Sequence, residues 1–96
     1  VRQDIPVSQQ IIQSNHATLE MSKLYPVGDK VPYIVLIGVP SWEELTKIKK
    51  ELEDKGIQFA DFHDTDFDFG TAAVVTIPLN PDERKLLKQH KLYKEL

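Results

Sequence analysis

Apolar positions in the first quarter of the chain recur at helical spacing. In residues 8–24, SQQIIQSNHATLEMSKL, Ile12, Ala17, Met21 and Leu24 fall near one face, with Ile11 and Leu19 beside it. The spacing predicts a helix, and Pro6 just upstream suits its start. Tyr25-Pro26-Val27-Gly28-Asp29-Lys30 is turn chemistry, because Pro26 discourages further helix and Gly28 supplies backbone freedom. The pattern then changes. Pro32–Val39, PYIVLIGV, is a continuous apolar run rich in β-branched residues, which suits a strand covered on both faces.

Helical spacing returns after Ser41-Trp42-Glu43-Glu44, a capping box in which Ser41 caps the helix and Glu44 reaches back. Trp42, Leu45, Ile48 and Leu52 keep that spacing through Lys55, and Gly56 closes the helix. Ile57–Phe62 and Ala72–Leu79 read as two further strands. Asn80-Pro81-Asp82-Glu83 is a second start signal, with proline at the first helical position; a last helix runs to about His90 and Lys91–Leu96 forms a tail. The order helix, strand, helix, strand, strand, helix predicts an α/β fold with helices packed over a mixed sheet, in a single domain spanning residues 1–96. Internal repeats, linkers and low-complexity segments are absent from the sequence.

Composition narrows the functional classes. At 41% hydrophobic and 28% charged the chain is too apolar for disorder. The absence of cysteine excludes a disulfide framework, a thiol nucleophile and cysteine-ligated zinc, and fits a reducing, cytoplasmic setting. Its apolar runs fall far short of the ~20 residues that cross a bilayer, and a signal peptide is not visible, so no membrane partner is expected. Twelve Lys and Arg against fifteen Asp and Glu leave a formal charge of −3. Because phosphate neutralisation drives nucleic-acid affinity, this balance weighs mildly against RNA as a partner, although a local basic face from Lys47, Lys50, Lys85, Lys88 and Lys91 would keep it in play. Those lysines read equally well as solvated helix surface paired with Glu43, Glu44, Glu51 and Glu83.

The least ordinary segment is Asp61-Phe62-His63-Asp64-Thr65-Asp66-Phe67-Asp68-Phe69-Gly70-Thr71. Asp64, Asp66 and Asp68 imitate the first ligands of an EF-hand loop, but Phe69 stands where its glycine belongs and Val75 where its closing glutamate belongs. A solvated acidic loop is the simpler reading. His16, His63 and His90 are too scattered for a metal site, and neither a nucleophile elbow nor a Gly-rich phosphate loop is present.

Two stretches taken together resemble the type 2 peptidyl-tRNA hydrolases. Val1-Arg2-Gln3-Asp4-Ile5 followed by Gln13-Ser14-Asn15-His16-Ala17 is similar to that family's V-R-x-D-L strand end and Q-x-x-H-A helix. Asp61-Phe62-His63-Asp64-Thr65, then Gly70-Thr71 and a strand ending at Pro78, is similar to its D-A-G-x-T, G-T and last strand; His90-Lys91-Leu92 is similar to its closing segment. The resemblance covers almost the whole chain and implies a mixed β-sheet flanked by helices on both faces. Val1 and Arg2 would then be the end of a first strand that either starts before residue 1 or is truncated.

The resemblance further implies hydrolysis of the ester between peptide and tRNA, with peptidyl-tRNA as partner, no cofactor and no metal, and a homodimer. Asp61 would activate the attacking water and Thr65 would hydrogen-bond to it or to the substrate. His16 stands as a further acid or base, since histidine titrates near neutrality, while packing on the helix face is its plainer role. Gln13 and His16 would share a face towards the cleft, with Thr71 and His63 contributing to substrate binding. Departures concern charge. Where the family's loop carries a lysine, the nearest residue here is Gln9; Phe62-His63 replaces the small Ala-Gly pair; and Asp64 stands where a basic residue is frequent. An active enzyme therefore needs Lys30 or another cation to reach the cleft. A binding module that kept the fold without turnover would instead expose an apolar patch, around Phe67 and Phe69.

Overall fold

Helix α1, Val7–Leu24, begins directly after Pro6 and ends where the Tyr25 N–H bonds to the Met21 carbonyl at 2.9 Å. The computed structural model describes residues 1–26, 28–29, 34–64 and 70–94. The buried face of α1 is Gln10, Gln13, Ala17 and Met21, at spacings of three and four. Ala17 and Met21 of the expected apolar face are buried, but Ile12 and Leu24, with Ile11 and Leu19 beside them, are exposed, which corrects the rest of that face. Gln10 explains how a polar side chain can hold the inner face. Its Nε2 donates to the Ile5 carbonyl at 2.8 Å, and its Oε1 accepts from the Tyr93 hydroxyl at 2.7 Å. Buried polar atoms so paired are tolerated, and here they tie the two ends of the chain to α1.

Helix α2, Trp42–Asp54, follows its sequence signals closely. Ser41 Oγ accepts from the Glu44 N–H at 3.3 Å, while the Glu44 carboxylate pairs with Lys47 at 3.1 Å. Only one half of the expected capping box therefore forms. At the other end Gly56 takes φ +68°, with Gly56 N–H bonded to the Glu53 carbonyl and Ile57 N–H to that of Leu52. This is the Schellman pattern that a glycine after the last turn permits. Leu45, Ile48 and Leu52 form the buried stripe.

Strands β1, Phe59–Asp64, and β2, Gly70–Thr76, pair antiparallel with Phe59 opposite Thr76 and Phe62 opposite Ala73. The register then jumps so that His63 faces Thr71, which leaves Ala72 as an extra residue of a bulge. Both strands sit about two residues from their expected bounds. Beyond β2 the backbone continues as single bonds: Arg2 N–H to the Ala72 carbonyl at 3.0 Å, Gln3 N–H to Val39 at 2.7 Å, and Val39 N–H to Val1 at 2.9 Å. Val1–Gln3 thus lies between β2 and residues 37–39, and Tyr93 N–H bonds onward to Leu36 at 2.8 Å. Arg2 and Val39 make a parallel bridge, and Ile37 and Leu92 an antiparallel one.

The strand expected over 32–39 is replaced, in its described part, by these isolated bridges. Ile34 is 80% exposed and Val35 65%, so the run is not covered on both faces as its apolar content suggested. Among the described residues the fold is a small mixed α/β globule of three helices and one two-stranded antiparallel sheet, narrower than the mixed sheet expected. The last helix, α3, Pro81–Leu87, has both halves of a capping box between Asn80 and Glu83 but no fully buried residue; Leu86 and Leu87 rest on the α2 cluster.

The core divides across the sheet. On one side Val39, Leu45, Ile48, Leu52 and Ile57 pack with Phe59 and Val74; on the other Val1, Ala17 and Ala73 pack with Phe62, Val75 and Tyr93. Alternate residues of β2 therefore face α2 (Val74) and α1 (Ala73, Val75), as a pleated strand requires. The two helices cover opposite faces.

Candidate functional site

That division decides which of the expected site residues meet. Asp61 stands opposite Val74 in the ladder and points to the α2 side, where Lys49 Nζ lies 2.7 Å from its Oδ2. Phe62, the next residue, points to the α1 side and packs against the His16 ring with centroids 4.4 Å apart and planes tilted by 48°. Gln9, Gln13 and His16 line the α1 side, with Gln13 Nε2 donating to Gln9 Oε1 at 3.2 Å. The sheet thus separates Asp61 from the three α1 residues grouped with it on the sequence.

The two sides differ in chemistry. On the α1 side Gln13 is only 2% exposed, and its Oε1 and the buried Nδ1 of His16 have no hydrogen-bond partner among the described residues. Gln13 is enclosed and the His16 ring lies against Phe62, so this row is a packed helix face, held at the cost of those unpaired atoms. On the α2 side Asp61 is more than a third exposed and Lys49 a quarter, so the ion pair is open to a solute. Lys49 is a cation that sequence reasoning missed. Its side chain comes from a helix twelve residues before Asp61, on a position that reads as ordinary solvated surface. Helical spacing alone offered a weak signal: Trp42 and Lys49 are seven residues apart, and so share a face of α2.

Further along β1 the same side carries His63. A side chain built at Gly70 would lie 3.6 Å from Trp42 Nε1 and 3.9 Å from His63 Cε1, so both rings edge onto one point above the glycine. Gly70 takes φ +71°, a conformation that L side chains rarely adopt. Thr71 faces His63 across the bulged ladder. Thr65 and Lys30, together with Asp66, Phe67, Asp68 and Phe69, lie outside the described residues.

Charged groups elsewhere serve the fold. Arg2 binds Asp4 through two parallel bonds of 2.9 Å, and this hydrogen bonding holds the Asp4 carboxyl below its ordinary range. An open depression of about 430 Å³ between α3 and the end of α2, lined by Lys55, Ile57, Asp82, Glu83, Lys85 and Leu86, contains none of the expected site residues. Among the described residues no group of three or more His, Asp or Glu is placed to hold a metal, and no helix is long and apolar enough to cross a membrane. No protein-family model matches the chain, and comparisons with curated proteins and with solved structures give no match either.

Proposed function

We propose that the chain is a divergent hydrolase of the peptidyl-tRNA type, cleaving a peptidyl ester at the Asp61–Lys49 pair on the α2 side of the sheet. The observation that supports this reading is the 2.7 Å contact between Lys49 Nζ and Asp61 Oδ2 on an accessible surface. A cation within reach of the carboxylate is what the chemistry asks for and what the loop around Gln9 lacks. In the reaction Asp61 takes a proton from water as its oxygen adds to the ester carbonyl carbon. The bond to the ribose oxygen then breaks, and the proton passes from Asp61 to that leaving oxygen. Lys49 holds the carboxylate with one N–H and has two more donors to offer the carbonyl oxygen as it becomes negative.

Variants separate the two roles. Asp61→Asn should lower the rate of ester cleavage at least roughly 100-fold. Lys49→Met should lower it by about 100- to 1,000-fold, as loss of an oxyanion donor does, with Lys49→Arg recovering part of the rate. A rate indifferent to both substitutions would remove the pair from the chemistry.

One observation favours a second reading, a binding module for protein or RNA without turnover. Gln9, Gln13 and His16 lie across the sheet from Asp61, so the constellation implied by the resemblance is not assembled on one face. In that case intact protein at high concentration cleaves no ester.

A further inference from the structure

The outward face of α1 is apolar where a solvated helix is ordinarily charged. Ile11 is 59% exposed, Ile12 42% and Leu19 63%, and from Val7 to Leu19 the helix carries no Asp, Glu, Lys or Arg. Its two charged residues, Glu20 and Lys23, come after that stretch and pair with each other at 3.0 Å. α2 shows the contrast: Glu43, Lys47, Lys50 and Glu53 are exposed, while its stripe of Leu45, Ile48 and Leu52 is buried. Two hydroxyls on the outward face of α1 are already satisfied within the helix. Thr18 Oγ1 donates to the Ser14 carbonyl at 3.0 Å and Ser22 Oγ to that of Leu19 at 2.6 Å, so covering them strands no donor.

The order of residues along this face points to what covers it. Ser8, Ile11, Asn15, Leu19 and Ser22 read alike from either end, with Asn15 at the centre. They lie three or four positions apart and so share one side of the helix. Two copies packed antiparallel about a two-fold axis at Asn15 set Ile11 of each against Leu19 of the other. Ser8 of each then meets Ser22 of the other, where small side chains let the backbones approach, and the two Asn15 amides come together. Each amide offers a donor and an acceptor, and a paired asparagine in an apolar seam fixes register. Self-complementarity of this kind is what a two-fold contact requires. An anionic surface finds no free cation here, because Lys23 at the end of the helix is held by Glu20.

We infer that the outward face of α1 is a docking surface for a second copy of this chain, paired antiparallel with Asn15 on the two-fold axis. α1 and α2 cover opposite faces of the sheet, so this pairing leaves Asp61 and Lys49 open on both copies. The contact is small. A helix of 18 residues is about 27 Å long and roughly 10 Å wide, so each copy contributes about 270 Å², against the ~500 Å² each partner brings to a stable pair. Dissociation constants of roughly tens to hundreds of micromolar follow.

Sedimentation equilibrium of the intact chain, from about 10 μM to about 1 mM, reads that range directly. The average mass should rise from that of one chain towards that of two. Ile11→Glu alone and Leu19→Lys alone, both at exposed positions, should each weaken association at least roughly 10-fold by covering an unpaired charge. Mixed in equal amounts, the two variants should associate with each other, because the antiparallel register brings the new carboxylate of one against the new ammonium of the other. Carrying both substitutions in one chain should restore self-association in the same way. A mass that stays at one chain up to about 1 mM would overturn the surface. So would association that both single variants retain, which places the contact elsewhere, or variants that stay apart when mixed, which excludes the register. Binding of a monomeric chain to phosphatidylcholine vesicles, lost in either variant, would assign the face to a lipid surface instead.

Discussion

At the residue scale, single side chains on the two faces of the sheet have opposite expected responses to substitution. Gln13 is fully buried with an unpaired amide oxygen, so Gln13→Met should leave stability unchanged or raise it by about 1 kcal/mol, read as the urea midpoint. A loss of ester cleavage without loss of stability would instead return Gln13 to the chemistry. Gly70→Ala meets no close atom but must hold φ +71°, and should cost about 1 kcal/mol. Asp4 supplies a pH dependence. Its folded carboxyl is held below its ordinary value of 3.8, chiefly by the hydrogen bond from Arg2. The unfolded state therefore binds the proton more readily: the stabilisation is complete above that value and is lost as pH falls through the folded one. The Asp4 side chain is 37% exposed, so solvent screening limits the effect to about 0.5 kcal/mol. Asp4→Asn should lower the urea midpoint at pH 7 and lower it progressively less as the solution is acidified below 3.8; an equal loss throughout would exclude the titration.

At the element scale, legibility followed the origin of the signal. The bounds of α2 came out almost as read because its stop and start are local chemistry: the Ser41 cap, and Gly56 with its two closing bonds. Asn80 and Pro81 set the start of α3 in the same way. Ser41→Ala should cost about 1 kcal/mol and increase amide exchange in the first turn of α2. Since α3 buries no residue, Asn80→Ala should fray α3 locally while leaving the global unfolding midpoint nearly unchanged. What could not be read locally was which face a partner would cover. α1 turns Gln10 inward because Ile5 and Tyr93 supply partners from outside the helix, one of them more than eighty residues away, while Gln13 bonds, among the described residues, only to Gln9 on α1 itself. The apolar run before Val39 looked interior, yet in its described part Ile34 and Val35 are largely exposed. Alternation and periodicity report on polarity, and tertiary pairing overrode them here.

At the scale of the whole molecule, the sheet acts as a partition. Leu52, almost fully buried in the α2-side cluster, anchors the face that carries Asp61 and Lys49; Leu52→Ala should cost about 2–5 kcal/mol by leaving a cavity, a large share of the stability of a chain this small. The strand read over Ile57–Phe62 includes Asp61, which lies in β1, but the sequence could not show which side it would face, nor that Lys49 would meet it. That pairing depends on how α2 crosses β1, a property of the assembled fold.

The most direct test of the central claim is single-turnover cleavage of N-acetylated aminoacyl-tRNA by the intact chain, run beside Asp61→Asn. The unsubstituted chain should release the N-acetyl amino acid, and the variant should release it at least roughly 100-fold more slowly. Equal rates for both, or no release with protein in large excess over substrate, would contradict it.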